Sequence, residues 1–228
     1  MKDFTKRTIT ISEDGSSSLR IEGTDEHFHS VHGAYNESMH VYINAGLKMM
    51  GEKREIAVLD VGFGTGLNAL LTLVNQDNRV IHYHGIEAYP LQENEFKALN
   101  YTSIVGKKWD EIFRYIHVLK SDDEVEISSN FFFKKSIIKL EDICLFAGKY
   151  DIVYFDAFSP DLQPELWSEE IFRKIYKAMV DGGILMTYCA KGWVKRVMKT
   201  VGFTVEGLPG PIGKREISRG VKVNNSIF

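Results

Sequence analysis

Three glycines at alternate positions, Gly62, Gly64 and Gly66, follow an apolar run from Ile56 to Val61 that one acid, Asp60, interrupts. Glycine permits a tight turn and lets a ligand come close to the backbone. A second apolar segment, Leu67 to Val74, begins at once. The stretch therefore reads as a buried strand, a turn, and a helix whose first N–H groups are free. Such a turn suits a nucleotide-like cofactor, and Phe63, Thr65 and Asn68 join Asp60 and the glycines as candidate contacts. Glu87 lies 21 residues after Gly66, at the end of the next strand-like run, Arg79–Glu87. A carboxylate there suits the two hydroxyls of a ribose. Asp142 follows the later run Ser136–Leu140; it is a candidate for an adenine amino group, or for capping a helix.

Asp156 closes the strand-like segment Tyr150–Phe155. The carboxyl ends of such strands border the crevice where open α/β sheets bind ligands. The next loop, Ala157–Trp167, is stiffened by Pro160 and Pro164 and carries Phe158 and Trp167. Aromatic rings on a stiff loop can position a planar substrate by stacking. The competing readings are a helix cap for Asp156 and plain packing for Trp167.

The turn spacing separates cofactors. A dinucleotide turn would want a third glycine at position 67, where Leu67 stands, and no Gly-Lys-Ser/Thr of a P-loop is present. Asp60 would put a carboxylate close to the ligand. It would repel a pyrophosphate and tolerate a cofactor without phosphates, such as S-adenosylmethionine with its cationic amino and sulfonium groups.

The elements that must hold these residues alternate between strand and helix, the pattern of an α/β sheet. Before them, Thr8–Ser12 and Ser18–Ile21 flank a turn and read as a hairpin, followed by a helix from Asn36–Glu37–Ser38 to about Met50. Residues 1–52 thus read as an extension packed on a core domain of residues 53–228. Helices are expected over Leu91–Asn100, Lys107–Leu119, Ser168–Val180 and Gly192–Val201. Strand-like runs cover Val125–Ile127 and Phe131–Phe133, Ile184–Cys189, Phe203–Glu206 and Lys214–Ser218. The last two are joined by a Gly/Pro loop, which implies an antiparallel edge hairpin. His27, His29 and His32 stand at i, i+2 and i+5 with no cysteine and no acidic cluster of ligand pattern. They suit a loop lining the pocket better than a metal site.

The chain of 228 residues has 44% hydrophobic and 26% charged residues, ordinary for a globular protein with a full core. Two cysteines, Cys144 and Cys189, argue for a reducing, cytoplasmic setting and against a disulfide framework. No signal-like or membrane-spanning apolar run is expected. Net charge is −3, but from Lys191 onward eight basic residues face two acids, leaving the remainder at −9. A basic end on an acidic body suits an anionic substrate, or is a solvated face.

Asp60-x-Gly62-x-Gly64-x-Gly66, Glu87 and the Gly182-Gly183 pair resemble class I S-adenosylmethionine-dependent methyltransferases. More narrowly, several blocks are similar to the tRNA 5-methylaminomethyl-2-thiouridine biosynthesis methyltransferases. They are Gly33–Ser38, His40–Tyr42, Gly62–Asn68, Asp156–Pro160, Pro164–Trp167 and Gly213–Glu216. The resemblance spans most of residues 8–220. Its one departure is Asp60, where the family often has Glu. It implies a Rossmann-like, mostly parallel seven-stranded sheet with an antiparallel C-terminal edge hairpin. It also implies a methyl transfer from S-adenosylmethionine to the amine of 5-aminomethyl(-2-thio)uridine at the tRNA wobble position. The form resembled is the stand-alone one, with a separate FAD-dependent oxidase in the same pathway.

On that reading Asp156 accepts a hydrogen bond from the amine and takes up charge. Phe158, Pro160 and Trp167 frame the base. Lys191, Lys195, Arg196, Lys214 and Arg215 contact phosphates around the anticodon loop. A small-molecule amine methyltransferase or aminopropyltransferase-like enzyme, and a non-catalytic nucleotide-binding module, are the alternatives.

Overall fold

The computed structural model describes residues 3–119 and 123–223. Among the described residues ten strands form two sheets. β1 (Arg7–Ile11) and β2 (Ser17–Ile21) make the N-terminal antiparallel hairpin. The main sheet comprises β3 (Glu55–Val61), β4 (Val80–Glu87), β5 (Val125–Ser128), β6 (Phe131–Ile137), β7 (Tyr150–Phe155), β8 (Met179–Thr187), β9 (Phe203–Pro209) and β10 (Glu216–Lys222). Their order is β5-β6-β4-β3-β7-β8-β10-β9. The five central strands from β6 to β8 are parallel, while β5, β10 and β9 pair antiparallel. The sheet is therefore one strand wider than the seven expected, because β5 folds back on β6. β6 is also continuous through Ser136 and Ile137, where the sequence reads as two separate runs.

Strand alternation divides the core into two layers. Ile56 and Val58 of β3 pack in one apolar cluster, Leu59 and Val61 in the other. The first layer contains α1 (Ala34–Ser38), α2 (Leu67–Val74), α3 (Glu93–Lys97), α4 (Tyr101–Val105) and α5 (Asp110–Val118). The second contains α6 (Glu169–Ala178) and α7 (Gly192–Val201). Strands apolar on both faces, such as the wholly buried β7, are what a doubly covered parallel sheet requires.

Three helices differ from the pattern reading. The run expected as one helix to Met50 is α1, then a π-helical segment Met39–Asn44, then a 3₁₀ turn Leu47–Met50. The wider turn lets Val41, Tyr42 and Ile43 all be buried in succession. The run Leu91–Asn100 contributes only α3, because Asn100 turns its side chain to the hairpin. Its Oδ1 accepts from Ser17 N at 2.8 Å and its Nδ2 donates to Gly15 O at 2.8 Å. α6 stops at Ala178, and the Gly182-Gly183 pair lies inside β8 rather than before it. There the β7–β8 register shifts between Tyr150 and Ile152.

Candidate active site

The carboxyl ends of β3, β4 and β7 open into a cavity of about 390 Å³, large enough for a nucleoside-sized ligand. The glycine turn forms one wall and Ile86–Tyr89, Ile138–Glu141 and Asp156–Phe158 form others. The N-terminal segment Asp25–His32 closes a further side. That segment is latched on. Glu26 accepts from Ser159 N at 3.1 Å and from Ser159 Oγ at 3.0 Å. Phe28 meets Phe158 edge-on at 4.9 Å, and Phe4 stacks between Phe158 and Tyr89.

Gly62, Gly64 and Gly66 all have positive φ, at 87°, 50° and 72°. At Gly62 a Cβ would stand 2.6 Å from the Asp156 carbonyl oxygen, so only glycine lets the ends of β3 and β7 converge. The turn spends its N–H groups internally. Gly62 and Phe63 donate to Ile86 O at 3.1 and 3.0 Å, Gly66 to Phe63 O at 2.8 Å, and Gly64 to Glu87 Oε2 at 2.7 Å. These four N–H groups of the turn are thus engaged within the protein, and the helix that follows begins at Leu67. Such a turn is no cradle for pyrophosphate, and the donor set fits a ligand that brings hydroxyls and cationic groups. Glu87 also accepts from Tyr89 N at 2.7 Å, and its oxygens keep lone pairs for hydroxyl donors.

Thr65 is held from two sides. His29 Nε2 lies 2.7 Å from its Oγ1 and His117 Nε2 lies 3.2 Å from its carbonyl oxygen. Burial pushes His29 down to about 4 and His117 to about 3, so both rings are neutral. Phe63 turns into the core against Phe133 and His117 and against Gly85, where a Cβ would collide with its ring. Gly66 sits against His117 outside the cavity lining. His27, His29 and His32 all line the cavity. Among the described residues no His/Cys/Asp/Glu group could hold a metal. Cys144 is exposed and Cys189 buried.

Asp156 reaches the cavity wall and accepts from Asn68 Nδ2 at 2.8 Å. Burial raises its carboxyl to about 7. The Tyr42 hydroxyl, the Asn68 amide and Lys214 pull it down, and Glu37 pushes it up. Tyr42 lies beside it without a hydrogen bond of good geometry. The Glu37 carboxylate, itself buried, accepts from Ser30 N at 2.7 Å and pairs with Lys214 Nζ. Lys214 Nζ stands 4.2 Å above the Tyr188 ring, and the Tyr188 hydroxyl donates to Ala157 O at 3.0 Å. Glu37, Lys214 and Tyr188 line the same cavity.

Several expected contacts lie elsewhere. Asp60 is wholly buried and does not line the cavity, because strand alternation points it at the α2 layer, where Tyr83 OH donates to its Oδ2 at 2.6 Å. Asp142 is displaced too. β6 ends at Ile137, and the following turn brings Lys139–Glu141 to the wall instead. Trp167 is fully buried, edge-on to Phe155 at 4.9 Å, and its Nε1 donates to Phe158 O at 2.9 Å. It supports the loop from behind and frames no ligand. Pro160 is buried outside the lining, whereas Phe158 is on it.

Among the basic residues, Lys191 pairs with Asp161 at 2.5 Å and Lys195 with Glu216 at 2.7 Å. With Lys214 tied to Glu37, only Arg196 and Arg215 of the five are exposed. Glu26, Glu37, Tyr42 and Tyr188 escape a motif reading. Glu37 and Tyr42 leave a trace, inside the Gly33–Ser38 and His40–Tyr42 blocks.

Among the described residues no helix is long and apolar enough to cross a membrane. A family model described as S-adenosyl-L-methionine-dependent methyltransferase matches residues 104–223. The chain is 26% identical over 231 residues to the "tRNA 5-methylaminomethyl-2-thiouridine biosynthesis bifunctional protein MnmC" of Burkholderia thailandensis, covering 93% of this chain and 34% of that protein. The protein of the same description from Cupriavidus metallidurans is 28% identical over 215 residues, covering 85% and 31%. The chain thus spans about a third of the length of the curated relatives it matches. The solved structure of MnmC2 from Aquifex aeolicus superposes with a TM-score of 0.72 at 25% identity, covering 96% of this chain and 72% of that one. Spermidine synthase from Thermotoga maritima shares the fold at a TM-score of 0.53 and 13% identity, covering 97% and 74%.

Proposed function

The chain belongs to the S-adenosyl-L-methionine-dependent methyltransferases, and from that premise we propose that it methylates the amine of 5-aminomethyl(-2-thio)uridine at the wobble position of tRNA. When bound, S-adenosylmethionine supplies a methyl group on a cationic sulfur. Glu87 would hold its ribose hydroxyls, the Gly62–Thr65 backbone would flank it, and Ile86, Ile138 and Leu140 would bracket its base. The match to proteins named for methylaminomethyl-thiouridine biosynthesis motivates the acceptor.

One observation carries the chemistry. Asp156 stands on the cavity wall beside the turn with its carboxyl raised to about 7. An alkylammonium has no lone pair, so it must lose a proton before it can attack. Near neutral pH such a carboxylate accepts the amine hydrogen bond, aligns the lone pair and takes the proton. It then passes the proton to solvent through the open cavity. Phe158 would stack on the uracil once the base leaves the anticodon stack. Arg196 and Arg215, the exposed two of the five basic residues named above, would contact phosphates. A separate FAD-dependent oxidase would act in the same cytoplasmic pathway.

The test uses methyl-labelled cofactor and tRNA from a strain that lacks the enzyme, followed by nucleoside analysis. Appearance of methylaminomethyluridine is expected from the wild type and not from Asp156→Ala, which still binds the cofactor. Label on free polyamine and none on tRNA would overturn the assignment.

A further inference from the structure

The loop that carries Asp156 away from the sheet is fixed one residue at a time. Asp156 N donates to Val61 O of β3 at 2.9 Å. Ala157 O accepts from the Tyr188 hydroxyl at 3.0 Å, and Phe158 O from Trp167 Nε1 at 2.9 Å. Those partners belong to the main sheet and to the segments that follow its strands. The fourth does not. Glu26, 133 residues earlier in the chain, accepts from Ser159 N with Oε1 at 3.1 Å and from Ser159 Oγ with Oε2 at 3.0 Å. Pro160 has no N–H to offer, so this clasp holds the last backbone donor before the loop turns. Ser159 O in its turn accepts from Leu162 N and Gln163 N, both at 2.9 Å.

The segment that supplies Glu26 also grips the cofactor turn. His29 Nε2 lies 2.7 Å from Thr65 Oγ1, and a Cβ on Gly64 would stand 3.2 Å from the Phe28 ring. Phe28 meets Phe158 edge-on at 4.9 Å. The segment is itself held from behind. Ile21 N donates to Glu26 O at 3.0 Å and Phe28 N to Leu19 O at 2.8 Å. The buried Arg7 side chain places its guanidinium 5.4 Å from the centre of the Phe28 ring. Residues 26–29 therefore join the turn that would flank the methyl donor to the loop that carries the base.

We propose that Glu26 is a positioning residue for Asp156: through Ser159 it sets where the Asp156–Phe158 loop stands relative to the cofactor turn. In-line transfer tolerates little misplacement of the amine against the methyl group, and a shift of about 1 Å costs about a hundredfold in rate. Both carboxylate oxygens of Glu26 are engaged by one serine, an arrangement that glutamine can copy. Its carbonyl accepts from the Ser159 N–H, and its N–H₂ group donates to the Ser159 hydroxyl. Alanine copies neither bond. Glutamine and alanine remove the same charge, so a difference between them reports the hydrogen bonds and not the charge. The role in methyl transfer rests on the function proposed above; the clasp does not.

Hydrogen–deuterium exchange of the protein alone tests the clasp. In Glu26→Ala, peptides across residues 157–163 should exchange about tenfold faster, with β3 and β7 unchanged, and Glu26→Gln should match the wild type. Wild-type exchange in Glu26→Ala overturns the proposal whatever the enzyme methylates. No transfer to tRNA by the wild type would sink the acceptor assignment and leave the exchange result to decide the clasp.

Single-turnover methyl transfer at saturating cofactor then tests the role. Glu26→Ala should slow the step about ten- to a hundredfold, with cofactor affinity by calorimetry within about threefold of the wild type. Glu26→Gln should stay within about threefold, and Ser159→Ala, which keeps the N–H contact, should fall between the two. Combining Glu26→Ala with Ser159→Ala should add little to Glu26→Ala alone. Equal losses in Glu26→Ala and Glu26→Gln, additive losses in the double variant, or a loss confined to cofactor affinity would refute the positioning role.

Discussion

Glu37 and Lys214 pull Asp156 in opposite directions, and removing them one at a time should move the pH dependence of methyl transfer in opposite directions. A unit charge at about 6 Å in an effective dielectric of about 20 is worth about 2.8 kcal/mol, or two pKa units. Solvent in the cavity and the 30% exposure of the Lys214 side chain reduce that to about one unit for either charge. Asp156 near 7 is the starting point.

Glu37→Gln removes the anion and frees Lys214 to face Asp156, so both changes lower the carboxyl, to about 6. At pH 6 the wild type would have about a tenth of Asp156 ionised and the variant about half, an increase of about fivefold in kcat/KM. Lys214→Met does the reverse. Asp156 rises to about 8, and at pH 7 the rate falls about fivefold. Glu37→Gln with Lys214→Met removes one charge of each sign and should return the limb close to the wild-type position, the sum of the two single shifts. The assay is kcat/KM against pH at constant ionic strength, because tRNA affinity is salt-dependent. The ionisation of the substrate amine is common to all four proteins and cancels in the comparison. Limbs that move the same way in both single variants, or a double variant displaced as far as either, would refute the electrostatic reasoning.

Glu87→Ala deletes the acceptor of the Gly64 and Tyr89 N–H groups along with the ribose partner. Cofactor affinity by calorimetry should fall about ten- to a hundredfold, and an unchanged Kd would remove Glu87 from the site. Trp167→Ala should destabilise the fold by about 3–5 kcal/mol in urea denaturation. A weaker tRNA interaction with full stability would instead restore a stacking role. Burial holds His29 and His84 at about 4 and His117 at about 3, below the unfolded value near 6.5. The unfolded chain therefore binds more protons at acid pH, and stability should be complete above about 6.5 and decline as pH falls toward 4. A Tm flat from pH 7 to 5 would contradict those three neutral rings.

Strand alternation and glycine spacing are local signals, and the parts of the molecule governed by them were legible. The positive φ at Gly62, Gly64 and Gly66 and the acid ending β4 follow from residue type and spacing alone. Elements decided by distant partners were not. Asn100 breaks a helix because Ser17 and Gly15 lie 83 and 85 residues away in sequence yet within hydrogen-bond reach. The width of the π-helical segment answers to the burial of Tyr42. The eighth strand exists because β5 finds an edge on β6.

The candidate site divides along the same line. Lys191, Lys195 and Lys214 read as free cations in a basic stretch, but Lys191 and Lys214 pair with acids from outside that stretch, Asp161 and Glu37, and Lys195 with Glu216 inside it. That leaves a smaller field for nucleic acid than the +6 of the C-terminal segment suggests. Asp60 and Asp156 read alike too: both are aspartates near the carboxyl ends of neighbouring parallel strands. The pleat turns Asp60 onto the α2 layer, closed off with Tyr83 and Asn68. Asp156 falls just past the end of β7, where the chain leaves the sheet and its carboxylate reaches the cavity. One step beyond the last strand residue thus decides which acid reaches the cavity.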